Sequence, residues 1–317
     1  MENVTFHDHK PDTLSLYDAV VQGLSKQQKS IPPKFFYDKR GSELFDQICQ
    51  QPEYYLTTVE RRMLEQYALE IAELTGQGRV LIEPGAGSAS KVRLLLDALQ
   101  PSAFVPMDIS FEYLKSSAMA LAEEYPWLSI RAACVDFTHS LPVPESVPKG
   151  PRLLFFPGSS LGNFSKREAS EFLKLVHSTL GRDGMLLIGI DTKKHHGVLN
   201  AAYNDAAGLT AEFNLNLLYR LQNELNAELN PNNFRHKAFY NKDAGRIEMH
   251  LISKLKHSLK IEGHQFEFEE GEYLHTENSY KYAPQEFISM AGSQGFQSVR
   301  VWLDEQGMFA VYLLQAA

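Results

Sequence analysis

The stretch Val80-Leu-Ile-Glu-Pro-Gly-Ala-Gly-Ser-Ala-Ser-Lys91 decides the fold. Its apolar run stops at Glu83, turns through Gly85 and Gly87, and leads into a helix-like segment. Glycine suits such a turn, because the chain must bend sharply from strand to helix while its N–H groups lie open to a ligand, and a Cβ would obstruct both. A nucleotide-cofactor loop and an ordinary strand-to-helix turn share these letters, and with 20 glycines in 317 residues roughly one Gly-x-Gly arises by chance. The following residues separate the two. A second apolar run, Phe104-Val-Pro-Met-Asp108, ends in an acid 25 residues after Glu83. Between the runs, Val92, Leu95, Leu96 and Leu99 place one apolar stripe on a helix from Lys91 to about Leu99, so the segment reads as a βαβ unit. Asp108 then stands at a carboxyl strand end, where a carboxylate can accept both hydroxyls of a ribose; a strand-end or helix-capping Asp before Ile109-Ser-Phe-Glu-Tyr113 is the plainer alternative.

Further strands follow the same pattern. Ile130-Arg-Ala-Ala-Cys-Val135 ends at Asp136-Phe137, Arg152-Leu-Leu-Phe-Phe156 at Pro157-Gly-Ser-Ser-Leu-Gly-Asn163, and Met185-Leu-Leu-Ile-Gly-Ile190 at Asp191. Short continuous apolar runs closed by polar clusters describe buried parallel strands whose carboxyl ends carry a site. A helix over Lys166 to Leu180 has Ala169, Phe172, Leu173, Val176 and Leu180 on one face, with Ser165 and Glu168 spaced as a capping box. Beyond a helix around Pro284 to Ala291, Ser298-Val-Arg-Val-Trp-Leu303 and Met308-Phe-Ala-Val-Tyr-Leu-Leu314 flank a tight turn and form an antiparallel hairpin. A mostly parallel sheet closed by such a hairpin resembles the class I S-adenosylmethionine-dependent methyltransferases, and the Glu-x-Gly-x-Gly form points the same way. The fold class is therefore α/β, a Rossmann-like sheet with a C-terminal antiparallel hairpin, plus a second, discontinuous α+β substrate domain.

That second domain comes from the segments outside the sheet. Residues 58–192 and 282–317 make up the methyltransferase domain, and 1–57 with 193–281 the discontinuous substrate-binding domain. The latter includes a polar helical region, Val198 to Asn230, and strand-like segments Arg246 to Ser253 and His264 to Glu269. Both segments leave the sheet at the end that carries Gly85, Asp108 and Asp136, so they are expected to close over the cofactor and build the substrate pocket. At 44 % hydrophobic residues the chain can bury a large core, and its formal charge of −8 argues against a nucleic-acid partner. Two distant cysteines, Cys49 and Cys134, fit a reduced, cytoplasmic setting, and no apolar run approaches the roughly 20 residues of a membrane span. No metal-ligand cluster is expected: His195-His196 reads as an adjacent pair in a loop with diverging side chains. A monomer is the expected state.

Seven strings occur in order: Pro32-Pro-Lys-Phe-Phe-Tyr-Asp38, Gly41-Ser-Glu-Leu-Phe-Asp-Gln-Ile48, Pro52-Glu-Tyr-Tyr55, Gly158-Ser-Ser-Leu-Gly-Asn163, Tyr203-Asn-Asp-Ala-Ala-Gly-Leu-Thr-Ala-Glu-Phe-Asn214, Arg246-Ile-Glu-Met249 and Thr276-Glu-Asn-Ser279. Together, from about residue 30 to the C-terminus, the chain resembles the histidine-specific Nα-methyltransferases of ergothioneine biosynthesis. That family converts L-histidine to hercynine in three successive transfers from S-adenosylmethionine. The resemblance implies a cofactor site of Gly85, Lys91, Asp108, Asp136 and Phe137. Gly85 would admit the methionine part, Lys91 pair with its carboxylate, Asp108 hold the ribose, and Asp136 with Phe137 hold the adenine. It further implies Asn163 and Tyr203 on the substrate α-carboxylate, and Tyr55, Glu277 and Ser279 around the imidazole, with Tyr37 and Phe45 on the wall near the amine.

These residue types suit the chemistry. An imidazole has two ring nitrogens, which a carboxylate and a hydroxyl can read as a protonated or tautomer-fixed ring. No catalytic base is assigned: an α-amine titrates near ~8, so alignment of the free amine can carry the reaction, with Tyr37 near that amine. Aromatic faces of Tyr37, Phe45 or Tyr203 would favour the methylated cations. Pro84 stands where the family commonly has Leu, and Ser160 where it has Thr, neither removing a needed group. The alternatives are Nα-methylation of another aromatic amino acid such as tryptophan, and a non-catalytic module that binds amino acid or S-adenosylmethionine.

Overall fold

The computed structural model describes residues 3–9 and 15–317. In chain order it contains β1 (Val4–Asp8), α1 (Leu16–Leu24), α2 (Lys39–Ile48), α3 (Tyr55–Thr75), β2 (Val80–Pro84), α4 (Arg93–Leu99), β3 (Ala103–Asp108) and α5 (Phe111–Glu124). Next come β4 (Ile130–Cys134), β5 (Arg152–Phe156), α6 (Lys166–Leu180), β6 (Met185–Asp191), α7 (His196–Ala202) and α8 (Leu209–Leu225). The remainder is β7 (Phe234–Asn241), β8 (Arg246–Ser253), β9 (His257–Ile261), β10 (His264–Phe268), β11 (Tyr273–Tyr280), α9 (Pro284–Gly292), β12 (Phe296–Leu303) and β13 (Phe309–Ala316). Two compact units result, one containing Val59–Thr192 and Tyr282–Ala317, the other Lys193–Lys281 together with the segment ending at Thr58.

The first unit is built on an eight-stranded sheet in the order β1-β4-β3-β2-β5-β6-β13-β12. The strands from β1 to β6 are parallel, and β13 runs antiparallel to both β6 and β12. This is the sheet and hairpin of the class I methyltransferase fold. Every residue of β2 and of β6 is buried, which is why these strands read as unbroken apolar runs rather than alternating ones. The stripe on α4, namely Leu95, Leu96 and Leu99, is buried as the spacing requires. On α6, Ser165 accepts from the Glu168 N–H and Glu168 from the Ser165 N–H, closing the capping box, while Ala169, Phe172, Leu173, Val176 and Leu180 are buried.

One boundary differs from the sequence reading. The sequence places residues 1–57 in the substrate domain, yet Val4–Asp8 pairs in register with Ile130–Cys134 and extends the sheet of the first unit. The strand alternates half-buried and exposed residues at a sheet edge, so it lacks the continuous apolar run that marked the other strands.

The second unit holds the three-stranded antiparallel sheet β11-β8-β7, the hairpin β9-β10, and the helices α1, α2, α7 and α8. The single helical region expected over Val198 to Asn230 is two helices. Asp205 accepts from the N–H groups of Leu209 and Thr210 at 2.8 Å each, and Gly208 has φ +76°, so the chain turns and restarts there. His195 caps α7, its ring accepting from the Gly197 N–H at 3.1 Å. The His195 and His196 rings do not diverge: their centroids lie 4.4 Å apart, because the first turn of a helix, and not an extended loop, holds them.

Candidate active site

In the first unit the carboxyl ends of β2, β3 and β4 bring the expected cofactor residues together. Gly85 has φ +68° and Gly87 φ +52°, a region that disfavours any side chain, so the loop after β2 requires glycine at both. A Cβ at Gly85 would stand 3.2 Å from the Phe137 ring, so the missing side chain leaves the loop backbone bare beside that ring. Phe137 is held edge-on by Phe156 and Phe172, with centroids 6.0 and 6.3 Å away. Asp108 accepts from the Gly87 N–H at 3.2 Å and the Ser110 N–H at 2.9 Å. Burial raises its pKa, against which those N–H groups act. Asp136 is buried and accepts from both the N–H and the hydroxyl of Thr138.

Lys91 has a partner that the sequence did not reveal. Its ammonium lies 2.5 Å from Glu60 Oε2, and Glu60, on α3, is 1 % exposed. Both Glu60 oxygens also accept from the Gly158 N–H at 2.9 Å. Gly189 permits this arrangement, since a Cβ there would lie 1.9 Å from Glu60 Oε1. Glu83 is also buried, and its Oε2 has no hydrogen-bond partner. Burial pushes it up to about 8, with Lys91 pulling the other way and Glu60 adding to the rise. A bare glycine loop, an orphaned carboxyl oxygen and an acid at the end of β3 fit a cationic, ribose-bearing ligand such as S-adenosylmethionine. Asn163 ends a 3-10 turn, Ser160–Asn163, in this same unit.

The second unit gathers the other candidates. Tyr203 donates to Ser279 Oγ at 2.8 Å, and Lys281 donates to the same oxygen at 2.8 Å and to the Tyr203 hydroxyl at 3.2 Å. Tyr203 and Ser279, expected at opposite ends of a substrate, are thus hydrogen-bonded to each other. Glu277 is 8 % exposed, and burial pushes it up to about 7 against the pull of Lys281. Tyr54 stands edge-on to Tyr203 and to Phe45, and Phe45 edge-on to Tyr37, giving a continuous aromatic wall. Tyr55 belongs to a different group: Lys194 donates to its hydroxyl at 2.6 Å and lies over its ring.

Lys281, Tyr54, Glu60 and Glu83 were absent from the sequence candidates. Lys281 had a readable signal, because Glu277 and Ser279 alternate on one face of β11 and Lys281 continues that two-residue spacing just past its end. Glu60 had none, since it sits among other acids on α3 and only the fold brings it to Lys91.

Comparison with known proteins agrees with this geometry. The family described as histidine-specific methyltransferase, SAM-dependent, matches residues 16–316. A histidine N-alpha-methyltransferase from Mycolicibacterium smegmatis is 38 % identical over 298 residues, covering 92 % of this chain and 92 % of that protein. One of the same name from Mycobacterium tuberculosis is 37 % identical over 307 residues, covering 95 % and 94 %. Among solved structures, the PH0226 protein from Pyrococcus horikoshii shares the fold with a TM-score of 0.50 at 13 % identity, over 89 % of this chain and 100 % of that one. The chain therefore belongs to the histidine-specific, S-adenosylmethionine-dependent methyltransferase family.

Proposed function

We propose that the protein transfers methyl groups from S-adenosylmethionine to the α-amine of L-histidine, three times in succession, giving hercynine for ergothioneine biosynthesis. The observation that carries the choice of substrate is the buried group of Glu277, Ser279, Lys281 and Tyr203 in a chain of the histidine-specific family. The second unit is assigned to the amino acid and the first to the cofactor.

S-adenosylmethionine supplies a methyl group on a sulfonium that departs as a neutral thioether. In the proposed site, Lys91, aligned by Glu60, pairs with the cofactor carboxylate, Asp108 holds the ribose, and Asp136 with Phe137 holds the adenine. Glu83 faces the cationic part of the ligand. Glu277 accepts from one imidazole nitrogen and Ser279 serves the other, while Lys281 holds Ser279 and Tyr203 in place. Asn163 and Tyr203 are the candidates for the α-carboxylate, and Tyr37 and Phe45 for the amine side. Tyr55, bound to Lys194, borders the ring. Each transfer needs a neutral nitrogen, so the conversion of an ammonium into a trimethylammonium releases three protons for three methyl groups. The aromatic wall stabilises the growing cation by cation–π attraction. Alignment of the free amine supplies much of the acceleration.

Among the described residues no helix is long and apolar enough to cross a membrane. A cytoplasmic monomer acting on a small molecule, without nucleic acid, completes the proposal, supported by the net charge of −8. The test is mass spectrometry of the protein incubated with S-adenosylmethionine and each common amino acid in turn. Trimethylated histidine alone is expected. Methylation of another amino acid would overturn the role given to Glu277, and bound cofactor without any product would overturn turnover itself.

A further inference from the structure

Within the second unit, the paired strands β8 and β11 bring two histidines and one acid to a point. Glu248 Oε2 lies 3.0 Å from His250 Nε2, His250 Nε2 lies 3.1 Å from His275 Nδ1, and the third edge, Glu248 Oε2 to His275 Nδ1, is 3.9 Å. These edges bracket the roughly 3.3 Å that a tetrahedral zinc with bonds of about 2.0–2.1 Å places between its ligands. We propose that Glu248, His250 and His275 form a binding site for one Zn²⁺ ion, with the fourth position open to water.

The surroundings of the three atoms suit that role. His250 and His275 are directly opposite in the antiparallel register, and Glu248 shares the face of His250 two residues away. Glu248 Oε1 is fully engaged, accepting from Arg246 at 2.9 and 2.8 Å and from Asn241 at 2.9 Å, which leaves Oε2 turned to the histidines. His275 Nε2 faces Asn278 Oδ1 at 2.9 Å, so that nitrogen carries the proton and Nδ1 presents its lone pair. An outer partner that fixes the tautomer is what a ligating histidine needs. His250 is stacked on Tyr273 with centroids 4.1 Å apart, which holds its ring plane. Binding requires His250 to move its proton from Nε2 to Nδ1, giving up the bond to Glu248 for the metal. Two imidazole nitrogens select zinc over magnesium or calcium, which prefer oxygen. The nearby Arg246 guanidinium opposes a cation, so micromolar affinity is expected.

The ion would tie β8 to β11 at His275, just before the bulge between His275 and Glu277. Its consequence is a fixed base for the strand that carries Glu277 and Ser279.

The test uses the whole protein, stripped with a chelator and brought to dialysis equilibrium with a micromolar excess of ZnCl₂, the zinc retained being that on the protein side beyond the free ion of the buffer. Elemental analysis should give one zinc per chain, Co²⁺ should give the intense visible absorption of a tetrahedral site, and the melting temperature should rise with zinc. His275→Ala and His250→Ala should retain less than a tenth of the zinc, and Asn278→Ala should weaken binding about 10–100-fold. The His195→Ala/His196→Ala double variant should keep it all. If His250→Ala fails to fold, His275→Gln, at the less buried ligand, gives the same reading. The proposal is overturned if no zinc is retained, if it survives in the His275 variants, or if it disappears with His195 and His196.

Discussion

Replacing Glu277 by Gln should make the protein more stable and a poorer methyltransferase. In the folded chain this carboxyl titrates at about 7 instead of its ordinary 4.5, because burial penalises its charged form. The unfolded chain therefore gives up the proton first as pH rises, and stability falls between about 4.5 and about 7, the loss being complete above that. With ~1.4 kcal/mol per pKa unit, the carboxylate lowers stability by about 3 kcal/mol at pH 8 and by less than about 1 kcal/mol at pH 5. Glutamine matches the shape of the protonated acid and keeps a donor beside an acceptor oxygen, but never ionises. Urea unfolding followed by far-ultraviolet circular dichroism should thus show the variant ahead of its parent by about 3 kcal/mol at pH 8, with the gap nearly closed at pH 5. Isothermal titration should show histidine binding weakened roughly 10–100-fold, as expected for a lost hydrogen bond to a charged group worth about 1.5–3 kcal/mol. Equal stabilities at pH 8, or the same gap at both pH values, would refute the account of a buried carboxylate under strain.

Gly85→Ala places a side chain at φ +68°, 3.2 Å from Phe137, and should cost about 1–2 kcal/mol of stability and weaken binding of S-adenosylhomocysteine, as read by calorimetry. Glu60→Gln removes the charge that holds Lys91, so cofactor affinity should fall several-fold or more while histidine affinity in the absence of cofactor stays unchanged; unaltered cofactor binding would show that Lys91 needs no guide. Turnover should rise with pH through the ~8 region of an α-amine, and a pH-stat should record three protons per hercynine formed; a flat profile with chemistry limiting would count against the free-amine mechanism.

The sheet was legible because its inner strands are buried on both faces and so appear as continuous apolar runs closed by an acid, with Val80–Pro84 and Met185–Asp191 the clearest. Strand β1 escaped because an edge strand needs no such run, and β11 because its buried and half-buried residues include the acids and amides of a site. Gly85, Asp108 and Phe137 could be placed from local spacing, since each lies at a strand end or just beyond one. Glu60 could not be ranked from spacing, because its importance comes from Lys91, 31 residues along the chain and brought near by the fold; Glu83 stands in the glycine string itself, but its burial with an oxygen left without a partner is a product of the fold. The zinc ligands were hidden for a related reason, because His250 and His275 become neighbours only through the register of β8 with β11. The resemblance supplied the substrate-side residues, but not the bond between Tyr203 and Ser279.

The place of β13 in the sheet has a consequence for biosynthesis. Phe309–Ala316 lies between β6 and β12, so an interior strand is made after every other strand of that sheet. While the ribosome is still adding residues 192–308, the nascent chain holds β6 with one side open, its N–H and C=O groups exposed along a strand that is apolar up to Asp191. Such an unpaired edge is a template for pairing with another chain. A nascent chain at this stage is open to pairing with other chains, and a protein shortened before Phe309 loses the inside of its sheet and not merely its border.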